Sequence, residues 1–589
     1  MKIRFCKLLC FLLAFLMLIT LPVSCKEGEG DETLTHGETE QQDDPDRIAI
    51  VSKGTPKYVI VYGKGINDAC RKMVDRLQAE ILDATGVTLE VREEGDAPDP
   101  AANEIVIGSS KYDETATVSK KIKKDQYAIM LEGNKIVVVA KSHQLVEEAI
   151  WCFIERLIPN NLKQVGSGYS LYYQEFLVDY EEPEEPLFNG ESLSMYSVVY
   201  SKAVPGMEDL AMTLTQRIKN TLGFDLECYP DTFKEEREFE ILVGPTNRAY
   251  STACFANGDV PLMYYRLVVD GSKIQFVAAG AYSMDEMLSK FVSGYIMGIS
   301  RRNLRTGVYM EKDLMPLRSQ PLTEGSTLRV MTSNILADVW EDGRGYPSVA
   351  HRAEMYAAIL SVYAPDLVGV QETDNPWIKY LPYYLDYLKQ NFALDYGWIE
   401  NSFKKSNGQS VPNYTSLIYR KDSFTLVDSG SQEFSFTNSK NYKIRVATWA
   451  VLTHKQSNEQ YALINTHFSF TFAEAEKSVA EECALIESLK TKYKGLHVFC
   501  TGDFNNHLNS AFGLFKDTSG LTDSKEEAEG NGSLINQNPG IPEGIYIDHV
   551  LYDAAHFRVT RHETLDAPFT DKLSDHKLQY GDYVLLKGR

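Results

Sequence analysis

From residue 325 to the C-terminus, short apolar runs end one after another in small polar clusters. Leu328-Arg329-Val330-Met331-Thr332 ends at Ser333-Asn334, Leu367-Val368-Gly369-Val370 at Gln371-Glu372, and Tyr461-Ala462-Leu463-Ile464-Asn465 at Thr466-His467. His497-Val498-Phe499-Cys500-Thr501 runs into Gly502-Asp503-Phe504-Asn505, Tyr546 to Tyr552 contains Ile547-Asp548-His549, and Ser574-Asp575-His576 precedes a closing run at Tyr583 to Leu586. Runs of this length, rich in branched and aromatic residues and bounded by turn formers, predict buried strands. Ser416 to Tyr419 and Ala447 to Leu452 read the same way. Arg352 to Tyr363 and Ala473 to Tyr493 carry a helical period, and Pro365-Asp366 stops the first of them. The alternation predicts an α/β domain of two sheets packed face to face between helices, with the polar ends gathered at one rim.

Residues 55 to 315 repeat themselves. Tyr58-Val59-Ile60-Val61-Tyr62 returns as Tyr196-Ser197-Val198-Val199-Tyr200, and Asn103-Glu104-Ile105-Val106-Ile107-Gly108 returns as Phe239-Glu240-Ile241-Leu242-Val243-Gly244. Gly133-Asn134-Lys135-Ile136 returns as Gly271-Ser272-Lys273-Ile274, with an offset of 136 to 138 residues throughout. A constant offset across several strands predicts a duplicated unit. Each copy reads as a strand, a helix (Asp68 to Ala84; Met207 to Leu222), further strands and a second helix (Gln144 to Leu157; Ser283 to Met297), a two-layer α/β module. Isolated polar residues such as His143 and Arg248 suggest turns or caps rather than chemistry. The run Ile241-Leu242-Val243-Gly244-Pro245-Thr246-Asn247-Arg248 is similar to the N-terminal accessory α/β domain of some glycoside hydrolases, which implies a module without catalytic residues of its own. A carbohydrate or surface partner is the expectation for it.

The N-terminus changes the picture of the compartment. Lys2, Arg4 and Lys7 precede an apolar run from Leu8 to Leu21, the pattern of a signal segment and too short for a membrane span. The run ends at Leu21-Pro22-Val23-Ser24-Cys25, which resembles a bacterial lipoprotein signal and implies lipidation of Cys25; a plain secretory cut near Ser24 is the alternative. Lys26 to Asp46 holds nine acidic residues and one Lys and reads as a solvated tether. The expected organisation is a signal segment 1–24, a tether 25–54, modules 55–180 and 190–315, and a catalytic domain 326–589. The protein is expected on the outer face of the cell membrane, touching the membrane through its lipid anchor only. Six cysteines remain beyond the anchor, Cys70, Cys152, Cys228, Cys254, Cys483 and Cys500; free thiols are expected, since a chain this long does not need disulfide staples.

One Glu, three Asp, two Asn and two His at strand ends are the groups a metal-dependent phosphoester hydrolase needs. At these clusters the C-terminal domain resembles the endonuclease/exonuclease/phosphatase family, the deoxyribonuclease I-like fold. The resemblance implies a four-layer α/β/β/α sandwich and hydrolysis of phosphodiesters or phosphomonoesters with Mg²⁺ or Mn²⁺. Hard cations of this kind take oxygen ligands. The implied metal environment is Glu372 with Asn334 beside it and Asp575 from the opposite side. His576 is the implied base for water, oriented by Asp548. Asp503 would position the water or the leaving group, and Asn505 and His467 would donate to phosphoryl oxygens. Arg445, Thr448 and Trp449 are candidate substrate contacts, and Arg352 reads as structural.

Charge limits the substrate. The chain carries a net charge of −22. No basic stripe is interleaved with aromatic residues in the C-terminal domain, which makes nucleic acid the less favoured partner. The second carboxylate–histidine pair of the family's deoxyribonucleases is met here by Asn413. The reading is an exported metal-dependent phosphoesterase. An extracellular nuclease and a surface binding protein with a vestigial catalytic domain are the alternatives.

Overall fold

The computed structural model describes residues 47–586 apart from 97–98, 182, 257–259, 298–302, 316–318, 339–344, 401–414, 436–444, 470, 506–510, 529, 532–545 and 566–568. The signal segment, Cys25, tether residues 25–46 and Asn413 lie outside the described residues, whereas Arg47–Ser52, expected as tether, forms a strand paired antiparallel with Gly168–Tyr172. The chain divides into two compact units, residues 1–181 and 182–589. No described helix is long and apolar enough to cross a membrane. The six cysteines are free thiols.

The first unit is built on β1 (Val59–Tyr62), α1 (Asp68–Thr85), β2 (Val91–Glu93), β3 (Glu104–Ile107), α2 (Asp113–Ser119), β4 (Gln126–Glu132), β5 (Lys135–Ala140), α3 (His143–Cys152) and β6 (Phe176–Asp179). The sheet order is β6-β4-β5-β3-β1-β2. β2, β1, β3 and β5 run parallel, and β4 pairs antiparallel with both β5 and β6. α1 starts where the Asn67 side chain accepts from Cys70 N and ends at Gly86, whose φ of 69° suits the left-handed C-cap. Its buried residues Cys70, Val74, Leu77 and Ile81 keep the helical spacing and pack with α3 on Ile60, Ile105, Ile107 and Val138. Val118 of α2 packs on the opposite face, against Ala128, Met130 and Val137.

The second unit begins with a sheet of the same design. Its elements are β7 (Ser197–Tyr200), α4 (Met207–Leu222), β8 (Cys228–Pro230), β9 (Glu240–Val243), α5 (Ala249–Phe255), β10 (Tyr264–Asp270), β11 (Lys273–Ala278), α6 (Ala281–Phe291) and β12 (Gly307–Asp313), in the order β8-β7-β9-β11-β10-β12. Order, directions and register all correspond. Val59, Glu104 and Lys135 lie side by side in the first sheet, and Ser197, Glu240 and Lys273 in the second. The buried Glu–Lys pair is 2.9 Å apart in both.

The remainder of this unit holds the strand ends of interest. One seven-stranded sheet contains β13 (Leu328–Asn334), β14 (Leu367–Gln371), β15 (Tyr396–Ile399) and β16 (Thr415–Arg420). A six-stranded sheet contains β17 (Phe424–Glu433), β18 (Val446–His454), β19 (Gln460–His467), β20 (His497–Asp503) and β21 (Asp548–Tyr552). Returning to the first of these sheets, β22 (Phe557–Thr564) and β23 (Gln579–Leu585) complete its order β15-β16-β14-β13-β23-β22, with a short seventh strand at Gly530–Asn531 on its edge. The helices are α7 (Val349–Tyr363), α8 (Asn375–Phe392), α9 (Phe472–Lys492), α10 (Ala511–Ser519) and α11 (Thr570–Leu573).

Strand alternation sorts the side chains into three apolar layers. Val330, Leu367, Leu463 and Phe499 meet between the sheets. Met331, Val368 and Ile418 face α7 and α8, while Ile464, Val498 and Cys500 face α9 and α10. This is the four-layer α/β/β/α sandwich expected from the sequence. α8 is absent from the sequence reading: Pro376 at its start, Pro382 inside it and its many tyrosines mask a helical period that buries Trp377, Leu381, Tyr384, Leu385 and Leu388.

The second module is fused to this sandwich. Val260, Leu262, Met263, Val277 and Ala279 share one core with α7 and α8. Glu354, fully buried on α7, accepts from Met263 N at 2.9 Å, from Ser283 N at 3.0 Å and from Ser283 Oγ. Burial pushes its carboxyl up, against the opposing pull of these donors. A Cβ on Gly280 would lie 2.5 Å from Glu354 Cδ, so glycine is required there.

Candidate active site

Pairing brings the polar clusters level. β13 and β14 are parallel with Asn334 opposite Gln371, and β19 and β20 are parallel with His467 opposite Asp503. β21 runs antiparallel to β20 and sets Asp548 opposite Asp503. Glu372 follows β14 in the left-handed region at φ 65°; Leu336 at 57° and Asn505 at 48° share that conformation. Three non-glycine residues with left-handed backbone around one rim mark a place where geometry is imposed by the surroundings.

Asn334 is the hub. Its Nδ2 lies 3.1 Å from Asp503 Oδ2, 3.4 Å from Glu372 Oε1 and 3.3 Å from His576 Nε2. His576 Nδ1 is 2.8 Å from Asp548 Oδ2, and its Nε2 is 3.8 Å from Asp503 Oδ2. His467 Nε2 stands 3.4 Å from the same Asp503 oxygen. Glu372 Oε2 accepts from Ala337 N at 3.0 Å, which holds it to the loop after β13. Ser574 Oγ donates to Asn334 O at 2.8 Å and accepts from His576 N at 3.1 Å, tying the histidine loop to the end of β13.

The electrostatics follow from this crowding. Burial pushes the Asp503 carboxyl up, the Asp548 charge adds to that and Glu372 adds further, while His576 and the Asn505 N–H oppose it. Burial alone would lower His576; Asp548, by charge and by hydrogen bond, then Asp503 and Asp575 carry it up to about 10. His576 is therefore held as an imidazolium among carboxylates in the absence of another cation. Asp503, Asp548 and His576 offer ligand atoms within 4.8 Å of one another, a group able to hold a metal ion. Asp548 Oδ1 is buried and finds no hydrogen bond among the described residues. An oxygen-rich donor set with surplus negative charge fits a hard divalent cation.

The structure thus brings Asn334, Glu372, His467, Asp503, Asp548 and His576 together. Asp575 is half-buried beside His576 and acts on it through its charge. Asn505 bonds back to its own surroundings: its N donates to Asp503 Oδ1 at 3.0 Å and its Nδ2 to Phe468 O at 2.9 Å, so it braces the loop after β19 against β20. Thr448 is buried between the sheets, 2.9 Å from Thr415 Oγ1, and Trp449 packs toward the α9 layer.

Two supports of the site are absent from the sequence reading as functional residues. Asn465 lies between the sheets under the rim; its Nδ2 donates to Val370 O at 2.8 Å and Ser416 O at 2.9 Å, and its Oδ1 accepts from Gln371. A Cβ on Gly369 would meet Thr501 Oγ1 at 1.9 Å, so glycine lets the sheets approach here. Arg352, also on α7, donates through Nη1 to Ile335 O at 2.7 Å, Leu336 O at 2.8 Å and Leu573 O at 3.1 Å. One guanidinium therefore joins the loop after Asn334 to the helix before Ser574. A polar residue closing an otherwise apolar strand was the available signal for Asn465; a lone arginine on an apolar helix was the signal for Arg352.

The Endonuclease/Exonuclease/phosphatase family model matches residues 331–576, the span from β13 to His576. Mouse nocturnin is 23% identical over 206 residues, 33% of this chain and 47% of its own length, so the chain spans about half of that relative. Among solved structures, an endonuclease/exonuclease/phosphatase from Bacteroides vulgatus is 22% identical, with 44% of this chain and 99% of that one covered at a TM-score of 0.38. A mannosyl-6-phosphatase from Bacteroides thetaiotaomicron is 21% identical, covering 44% and 100% at 0.37. The human nocturnin catalytic domain is 21% identical, covering 44% and 94% at 0.33. The match to the endonuclease/exonuclease/phosphatase family, whose members are hydrolases of phosphoester bonds, therefore falls on the C-terminal domain and spans the site residues.

Proposed function

We propose that the protein is an exported, lipid-anchored, Mg²⁺- or Mn²⁺-dependent phosphoesterase. The observation that carries the catalytic part is the convergence of Asn334, Glu372, Asp503 and His576 from the ends of two opposed sheets, with Asp548 behind the histidine. In the reaction, a water oxygen attacks phosphorus, the P–O ester bond breaks, and the leaving oxygen takes up a proton. His576, once relieved of its own proton, receives one from the water through Nε2 while Asp548 holds Nδ1. His467 and Asn334 donate to the phosphoryl oxygens, where charge builds. Glu372 and Asp575, with Asn334 beside them, would hold the cation, which would supply charge neutralisation at the phosphoryl group, while Asp503 positions the attacking water or the leaving group.

Acidic residues outnumber basic ones by eight in residues 325–589, which favours a small phosphoester over nucleic acid as substrate. The signal-like N-terminus and its Cys25 support the anchor at the outer face of the membrane. Purified residues 26–589, offered bis-p-nitrophenyl phosphate, p-nitrophenyl phosphate, plasmid DNA and sphingomyelin with and without EDTA, test the reaction. Metal-dependent cleavage of a small ester and not of DNA is expected; preferential DNA cleavage would replace this reading with the nuclease. Mass spectrometry of the mature N-terminus tests the anchor, with a diacylglyceryl group expected on Cys25.

A further inference from the structure

The first unit contains a crevice at the carboxyl ends of its parallel strands. In the sheet order β2-β1-β3-β5, the chain leaves β1 toward one edge and returns on its other side at β3. Open α/β sheets bind ligands outside the carboxyl ends of their strands at such a switch point. A crevice of about 340 Å³ lies there, lined by Gly65 after β1, Gly108 and Ser109 after β3, and Lys141, Ser142 and His143 after β5. The loops that form it are fitted to each other. A Cβ on Gly63 would fall 1.7 Å from Ser109 O, and one on Gly108, at φ 76°, would fall 2.7 Å from Ile66 Cγ2. His143 Nε2 is 2.9 Å from Gly65 O, joining the rims, and Lys141 Nζ donates to Ser119 O at 2.6 Å.

The second module shows what the same place accepts. Lys141, Ser142 and His143 correspond to Ala279, Gly280 and Ala281, and Ser109 corresponds to Pro245. There the crevice is filled from within the chain by α7. Glu354 accepts from Ser283 N at 3.0 Å, the third residue after Gly280, and a Cβ on Gly206 would touch Ala350 Cβ at 3.1 Å. In the first module Ser142 Oγ takes that position and accepts from Leu145 N at 3.3 Å, which leaves its hydroxyl proton to donate. Where the second module has small apolar residues and an internal carboxylate, the first has an exposed ammonium, an imidazole and two hydroxyls around open space.

We infer that the first module binds a small oxyanion-bearing molecule, a carboxylate or a phosphate, in this crevice, held by Lys141, Ser142 and Ser109, with His143 fixing the rim through Gly65 O. Hydrogen exchange of the full chain, read by mass spectrometry, tests this with inorganic phosphate, glucuronate and neutral glucose as probes. Slowed exchange is expected in peptides covering residues 63–67, 108–112 and 141–146 with phosphate or glucuronate and not with glucose. The arm that protects more strongly separates the two sources of the oxyanion. The Lys141→Ala/His143→Ala variant, altered only at exposed positions, should lose at least tenfold in apparent affinity. Absence of protection by both anions, equal protection by glucose, or an unchanged response in the variant would each overturn the inference. Phosphate bound at the catalytic rim protects different peptides, so the two sites report separately.

Discussion

Glu354 of the catalytic sandwich caps the first turn of a helix in the module before it, its Oε2 accepting from Ser283 N at 3.0 Å. The contact makes the module part of the sandwich's packed structure rather than a domain on a free linker. Glu354→Ala leaves two buried backbone donors, at Met263 and Ser283, and the Ser283 hydroxyl without their acceptor. At roughly 1–3 kcal/mol for each buried group left unmade, a loss of about 3–5 kcal/mol in the stability of residues 182–589 is expected. Thermal unfolding of the wild type should show module and sandwich melting together; separate transitions would mean that the clamp does not couple them.

His576→Ala and Asp548→Asn remove the proposed base and its proposed orienting carboxylate. Turnover should fall by about 10²–10⁴ in the first, the range for loss of a general base, with circular dichroism unchanged. Asp548→Asn should lower kcat with little change in KM. Equal kcat in wild type and His576→Ala would remove His576 from the reaction.

Arg352 acts at one remove, as a brace of the loops that carry Asn334 and His576. Arg352→Lys keeps the charge but loses the Nε donor to Pro347 O and the rigid guanidinium that fixes Nη1 among its three carbonyls. A fall in kcat of about tenfold or more, with KM nearly constant, is the expected signature of misplaced reacting groups. A purely structural role would lower the melting temperature and leave kcat per folded molecule unchanged.

Glu482 gives a pH test away from the site. It is buried on α9 with Cys500 Sγ 3.0 Å away, and burial raises its carboxyl to about 7 despite that bond. The folded state then holds this proton more tightly than the unfolded chain. The contribution is full below the unfolded value near 4.5 and declines as pH rises toward 7, a loss of about 3 kcal/mol. Glu482→Gln should flatten the fall in stability between pH 5 and 8, measured by denaturant unfolding. A wild-type profile already flat over that range would contradict the assignment.

Much of the sandwich was legible because its strands are buried on both faces and end in polar clusters, as at Val330 to Asn334 and Phe499 to Asp503. Helix α8 was not, since Pro376 and Pro382 are helix breakers by rank and only tertiary burial of Trp377 and Tyr384 settles the matter. The site residues were legible as types at strand ends. Their division of labour was not: whether Asn505 Nδ2 faces a substrate or Phe468 O depends on a backbone angle of +48° that composition does not encode. The clamp at Glu354 was equally hidden, because a single glutamate on a helix carries no sign of the partner that buries it.

The proposed phosphoester hydrolysis depends on a divalent cation held by Glu372 and its neighbours. The most direct test is the rate of bis-p-nitrophenyl phosphate hydrolysis against Mg²⁺ concentration for wild type and Glu372→Gln. No turnover is expected in EDTA, with saturable recovery by Mg²⁺ and a half-saturating concentration at least tenfold higher in the variant. Turnover that survives EDTA, or identical Mg²⁺ curves for the two proteins, would contradict it.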